Sequence, residues 1–166
     1  MGKPYLDNYP DIHFNLSHSG NAIALLFSQK PCGIDIENLK KRHSEEKLVK
    51  RFFHKDEVDR YFEATSEKER TNYFFRIWTL KEAYLKAIGT GIRSQLSDLC
   101  FYSKENINGL WHLKQIDSSK WIFHSEIIDD AGICMASVQN KEVLKEPKIQ
   151  IVDYKDINKK MLRFYT

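Results

Sequence analysis

Two charged clusters in this 166-residue chain have the residue types and the spacing to do chemistry together. The first, Gly33-Ile34-Asp35-Ile36-Glu37, alternates apolar and acidic side chains as a β-strand does. Successive strand side chains point to opposite faces, so Asp35 and Glu37 share one face while Ile34 and Ile36 turn into a core. The second, Trp78-Thr79-Leu80-Lys81-Glu82-Ala83-Tyr84-Leu85-Lys86, reads as helix. Residues four apart share a helix face, which puts Trp78, Glu82 and Lys86 in one stripe. Packed together, strand and helix bring three carboxylates and one ammonium to one place. Three hard oxygen donors suit Mg²⁺, which keeps positions open for water and substrate phosphates. Lys86, one turn beyond Glu82, suits a phosphate gripped by the same ion. Taken singly, each cluster has a plainer reading. Asp-Ile-Glu describes a half-buried strand showing charges to water, and Glu82 with Lys86 a surface ion pair worth about 0.3–0.5 kcal/mol.

The elements that must position these residues follow from periodicity and turn chemistry. Ile12 to Leu16 reads as a strand, Ser17-His18-Ser19-Gly20-Asn21 as a tight turn, and Ala22 to Phe27 as an apolar strand. Pro31 then leads into the strand from Cys32 to Ile36, and three adjacent strands with short turns predict a meander. A helix runs from Ser44 to about Phe53, and a second from Lys55 or Asp56 to Phe62. The long helix starts at Thr65 or Ser66, with Glu69 in capping-box position, and ends at Gly89. Further strands are expected near Leu99–Tyr102, Leu110–Ile116, Trp121–Ile127 and Ile133–Val138, followed by a charged connection from Lys141 to Lys148. A short strand and a basic helix are expected between Ile149 and Thr166. Strands, then helices, then strands make an α+β layout.

The same residues resemble a known family. Gly-Ile-Asp-Ile-Glu, then Arg51-Phe52-Phe53-His54-Lys55-Asp56-Glu57, then the Trp78–Lys86 run, look like blocks of the 4'-phosphopantetheinyl transferases. Gly2-Lys3-Pro4 and Phe14-Asn15-Leu16-Ser17-His18-Ser19 match two further blocks of the surfactin-synthetase-activating branch of that superfamily. The blocks stand in the family's order, densely through Lys86 and loosely beyond. Members of that branch resemble two similar lobes in one chain, and this chain looks like a form lacking most of the first. The expectation is therefore a remnant of the first lobe over residues 1–31, consisting of an extended segment and two strands. Residues 32–140 would form one transferase lobe, an antiparallel sheet packed by one long helix, and residues 141–166 a C-terminal strand and helix.

The resemblance implies a reaction: transfer of the 4'-phosphopantetheine arm of coenzyme A to a serine of an apo acyl or peptidyl carrier protein, Mg²⁺-dependent, releasing 3',5'-ADP. It implies Asp35, Glu37 and Glu82 as metal ligands and Lys86 on the coenzyme A pyrophosphate. Glu82 or Glu57 would take the serine proton, directly or through a water. Lys3 and His18 would grip the 3'-phosphate region, with Ser17 and Ser19 in a turn able to reach phosphate. Lys40, Lys41 and Arg42 either face the acidic helix of a carrier protein or form a solvated loop. The alternative is a truncated, non-catalytic remnant that binds a carrier protein or coenzyme A. An orphaned lobe face would expose apolar surface and predicts a homo-oligomer through that face.

Composition narrows the classes. The chain carries 26 Lys and Arg against 23 Asp and Glu, a net charge of +3, too small and too dispersed to argue for nucleic acid. That sign is compatible with an acidic partner. Cys32, Cys100 and Cys134 are odd in number and widely spaced, which argues against a disulfide framework or a zinc cluster and for reduced thiols in the cytoplasm. No apolar run approaches the ~18 residues that span a bilayer.

Overall fold

The computed structural model describes residues 5–40, 44–90, 96–103, 109–116, 120–128 and 132–140. Its first element pair is a hairpin. β1 (His13–Ser19) pairs antiparallel with β2 (Ala22–Ser28), placing Phe14 opposite Phe27, Leu16 opposite Leu25 and His18 opposite Ile23. Ser17, His18 and Ser19, expected in the turn, belong to β1, and the turn shrinks to Gly20 and Asn21. Gly20 makes that possible with φ at 58°, a conformation open to glycine at no steric cost.

The second sheet has the order β3-β7-β6-β5-β4 and is antiparallel at each pairing. Its strands are β3 (Cys32–Asn38), β4 (Phe101–Tyr102), β5 (Leu110–Leu113), β6 (Trp121–Ile128) and β7 (Ile133–Asn140). The expected meander of β1, β2 and β3 does not form, because β3 pairs with β7, Asp35 lying opposite Ala136. On its other edge β3 meets side chains of β1, so the hairpin stays a separate two-stranded sheet docked against it. Ile34 and Ile36 do turn into a core, a small one with Met135 that packs on Ala22, Ala24 and Leu26 of the hairpin.

Three helices separate β3 from β4: α1 (Glu45–Phe52), α2 (Lys55–Glu63) and α3 (Glu67–Ile88). Ser66 and Glu69 form the expected capping box at the start of α3, and Gly89, at φ 74°, ends it. The main core lies where α3 crosses the sheet. Phe74, Phe75, Ile77, Leu80 and Ala83 meet Phe101, Leu113, Phe123, Ala136 and Val138, all buried. Each large apolar side chain so buried contributes roughly 1.5–3 kcal/mol. The α+β layout, an antiparallel sheet packed by one long helix, is the one the sequence predicts. The segment from Lys141 to Thr166 lies outside the described residues, and among those described no helix is long and apolar enough to cross a membrane.

The outward face of the hairpin is apolar and open. Leu16, Ile23, Leu25 and Phe27 are 49%, 66%, 48% and 58% exposed.

Candidate active site

Strand β3 and helix α3 meet at an unusually short distance, and small residues permit it. Gly33 presents no side chain to α3, where Ala83 and Ala87 stand one turn apart. A Cβ on Gly33 would lie 2.0 Å from the Ala83 carbonyl oxygen and 2.6 Å from the Ala87 nitrogen. Asp35 and Glu37 follow Gly33 on the same face of the strand by the period of two. Glu82 and Lys86 flank Ala83 and Ala87 along the helix, both half-buried. The strand and helix that the sequence required to pack together do so, and the acidic and basic residues meet at their contact.

The geometry around Asp35 is specific. Its Oδ1 accepts from Lys86 Nζ at 2.7 Å and from Ser17 Oγ at 2.9 Å. Lys86 Nζ also donates to Ser17 Oγ at 3.0 Å and to the Ile34 carbonyl at 3.1 Å. Asp35 Oδ2 is buried and has no hydrogen-bond partner among the described residues. Glu37 Oε2 accepts from Ser19 Oγ at 3.2 Å. Burial pushes the Asp35 carboxyl above its ordinary range, with Lys86 and Ser17 pulling back and Glu37 adding to the rise. Burial also raises Glu82, reinforced by the charge of Asp35, opposed by Lys86 and reinforced again by Glu37. Asp35 thus feels the charge of Glu37, and Glu82 feels both, with Lys86 opposing the rise at each. A group of oxygen donors with excess negative charge and an orphaned buried oxygen fits a hard divalent cation.

Other residues singled out by sequence lie elsewhere. Ser17 is buried in β1 and committed to Asp35, Lys86 and the Ile36 amide, so its hydroxyl is not presented to a phosphate. His18 is exposed on the opposite face of β1. Lys3, Lys41 and Arg42 are outside the described residues, while Lys40 is exposed.

Glu57 is corrected from catalytic candidate to structural anchor. Its side chain is 1% exposed and its Oε2 pairs with Lys81 Nζ at 2.7 Å. The same oxygen accepts from the His54 amide at 2.9 Å, and Oε1 accepts from the Phe101 amide at 2.7 Å. Both oxygens are taken up inside the protein, which leaves nothing to reach a substrate hydroxyl. Lys81 completes the knot by donating to the Leu96 and Leu99 carbonyls.

The sequence reading missed Gly33 and Asn15 as placing residues. Their signals were present: alanines four apart opposite a strand glycine, and the period-two run Asn15, Ser17, Ser19.

Comparison with known proteins identifies the family and the fold. The family model of the 4'-phosphopantetheinyl transferase superfamily matches residues 31–136. A 4'-phosphopantetheinyl transferase of Bacillus subtilis is 37% identical over 105 residues, covering 63% of this chain and 46% of that protein. The 4'-phosphopantetheinyl transferase Sfp of Bacillus subtilis strain 168 is 42% identical over 91 residues, covering 55% of this chain and 39% of that one. The chain therefore spans less than half the length of these relatives. Among solved structures, the holo-[acyl-carrier-protein] synthase of Thermotoga maritima has a TM-score of 0.50 at 21% identity, covering 78% of this chain and 73% of that chain, a likeness of fold.

Proposed function

Because this chain belongs to the 4'-phosphopantetheinyl transferase superfamily, we propose that it moves the 4'-phosphopantetheine arm of coenzyme A onto a serine of an apo acyl or peptidyl carrier protein. The observation that supports this reading is the buried carboxylate of Asp35, whose Oδ2 has no partner among the described residues, with Glu37 near enough to act on it electrostatically and Glu82 near enough to feel both. Asp35, Glu37 and Glu82 would hold Mg²⁺. The ion supplies charge neutralisation at the coenzyme A pyrophosphate.

The chain's own residues account for the rest. Lys86 places an ammonium beside the cluster, 2.7 Å from Asp35, where it offsets charge gathering on the departing 3',5'-ADP. The serine oxygen attacks the pantetheine-side phosphorus, the pyrophosphate P–O bond breaks, and the serine proton passes to a Glu82 oxygen directly or through water. A cation held by Glu82 would lower the proton affinity of that carboxyl, which favours the route through water.

In this reading residues 32–140 are the catalytic lobe and residues 1–31 a remnant of a first lobe, while residues 141–166, expected as a C-terminal strand and helix, lie outside the described residues. Buried Cys32, Cys100 and Cys134, none of them in a disulfide among the described residues, support a reducing, cytoplasmic setting. A second reading, binding of a carrier protein or coenzyme A without turnover, draws on the open apolar hairpin face. That face also supports self-association, which sedimentation tests; a monomer at all concentrations rejects it. Intact-mass analysis of an apo carrier protein incubated with the chain, coenzyme A and Mg²⁺ separates the two functions. A gain of one phosphopantetheine arm, abolished by Asp35→Ala, supports transfer. No gain across acyl and peptidyl carriers, with folded protein, rejects it.

A further inference from the structure

Along the seam between β1 and β3, side chains take the part that backbone groups take in a sheet. Asn15 Oδ1 accepts from the Ile34 amide at 2.9 Å, Ser17 Oγ from the Ile36 amide at 3.3 Å, and Ser19 Oγ from the Asn38 amide at 3.1 Å. Each rung advances two residues on both strands, so β1 runs parallel to β3 at a constant offset. Edge amides of β3 are thereby satisfied without β1 joining the sheet.

The two hydroxyl rungs do more than accept. A hydroxyl that accepts through a lone pair still has its proton to give. Ser17 gives it to Asp35 Oδ1 and Ser19 to Glu37 Oε2. The residue beside the Asn15 rung on the same face of β3 is Gly33, which has no side chain to hold, and there an amide replaces the hydroxyl. Ser17 and Lys86 both engage Oδ1 of Asp35, while Oδ2 has no partner among the described residues.

We propose that Asn15, Ser17 and Ser19 are a side-chain ladder that docks β1 on the edge of β3, and that its two serines are positioning residues for Asp35 and Glu37. Ser17 fixes which Asp35 oxygen faces outward from the protein's own hydrogen bonds. Ser19 restrains Glu37 on the same face. The positioning role rests on the metal reading given above; the ladder itself does not.

Amide hydrogen exchange by NMR and Mn²⁺ binding by electron paramagnetic resonance, both on the whole chain, test the two parts separately. Mn²⁺ serves as the probe because it accepts the same oxygen ligands. Ser17→Ala is expected to speed exchange at Ile36 and to weaken Mn²⁺ binding about 10-fold or more, the usual scale for losing a partner behind a metal ligand. Ser17→Thr keeps the hydroxyl on a strand-favouring residue and restores both. Asn15→Ala speeds exchange at Ile34 and leaves Mn²⁺ affinity at the parent value, since Asn15 touches neither carboxylate. Unchanged exchange at Ile36 in Ser17→Ala overturns the ladder. Mn²⁺ affinity that is unchanged in Ser17→Ala, or that falls equally in Asn15→Ala, overturns the positioning role. A Ser17→Ala chain altered only in coenzyme A binding overturns it as well. An Asp35→Ala chain that binds Mn²⁺ as the parent does removes the metal reading and the positioning role with it, while the amide pattern still decides the ladder.

Discussion

Gly33→Ala is the sharpest test of how this protein builds its acidic cluster. The new Cβ would sit 2.0 Å from the Ala83 carbonyl oxygen and 2.6 Å from the Ala87 nitrogen, where ordinary contacts begin at 3.4 Å. Both obstacles are backbone atoms, so no rotamer change relieves the clash. β3 is pinned by its ladder to β7 on one edge and by β1 side chains on the other. The helix must therefore withdraw, by about 1 Å or more. Lys86 reaches Asp35 at 2.7 Å, and a retreat of that size takes the pair past hydrogen-bonding range. Overpacking of this kind costs about 1–3 kcal/mol, and at this chain length each kcal/mol lowers the melting temperature by about 2–4 °C. A misplacement near 1 Å in the catalytic groups lowers transfer by about 100-fold. Gly132→Ala is the matched control. It has φ 59° and open space around its Cβ, so it loses about 1–2 kcal/mol through backbone strain without moving α3. The assay is carrier-protein modification followed by mass, beside thermal melting. If Gly33→Ala retains parental activity, or loses no more activity than Gly132→Ala, the close-approach argument is wrong.

Lys81→Met strands the Glu57 carboxylate and two carbonyls in the interior, and a loss of roughly 3–5 kcal/mol in urea unfolding is expected. Burial already holds Glu57 above its ordinary range, with Lys81 the main opposing influence. Removing Lys81 raises it further, so the folded variant binds that proton more tightly than the unfolded chain does. The deficit should then be largest near neutral pH and shrink toward about pH 5 as the carboxyl is protonated; a deficit independent of pH contradicts the assignment. Ser66→Ala removes the cap of α3 at its solvent end and should lower stability by about 1 kcal/mol, with the Mg²⁺ dependence of transfer unchanged. A change in that dependence shows the helix start and the cluster to be coupled. Chelation of divalent metal should abolish transfer and Mg²⁺ should restore it, whereas activity that persists in chelator rejects Asp35, Glu37 and Glu82 as ligands.

Much of the fold was legible because its signals are local. The capping box at Ser66 and the C-cap at Gly89 bound α3 as written in the sequence. Strand alternation placed Asp35 and Glu37 on one face, and helical spacing placed Glu82 and Lys86 on one stripe. What escaped was non-local. Ser17 to Ser19 read as a turn because three short polar residues precede a glycine, yet the hairpin register carries the strand through them. The meander failed because sequence proximity favoured β2 as partner of β3, whereas β7 takes one edge and β1 side chains take the other. Glu57 passed for a base because its burial depends on Lys81 and Phe101, neither near it in sequence.

Adjacent residues Lys81 and Glu82 meet opposite fates, one sealed in the core and one half-buried within the influence of Asp35 and Lys86. From Phe74 onward α3 buries side chains on most sides, Phe74, Ile77, Leu80, Ala83, Tyr84 and Leu85 among them. A helix apolar over most of its circumference has only a weak preference for its azimuth, since turning it exchanges one apolar contact for another. The polar pegs therefore decide: Arg76 on the Ser125 carbonyl, Lys81 on Glu57, and Lys86 on Asp35. Each residue turns the helix by about 100°, so a slip of one position would swing Glu82 into the interior and bring Lys81 out. The sealed ion pair thus behaves as a key in a keyway, and its service to the protein is angular: it aims the helix.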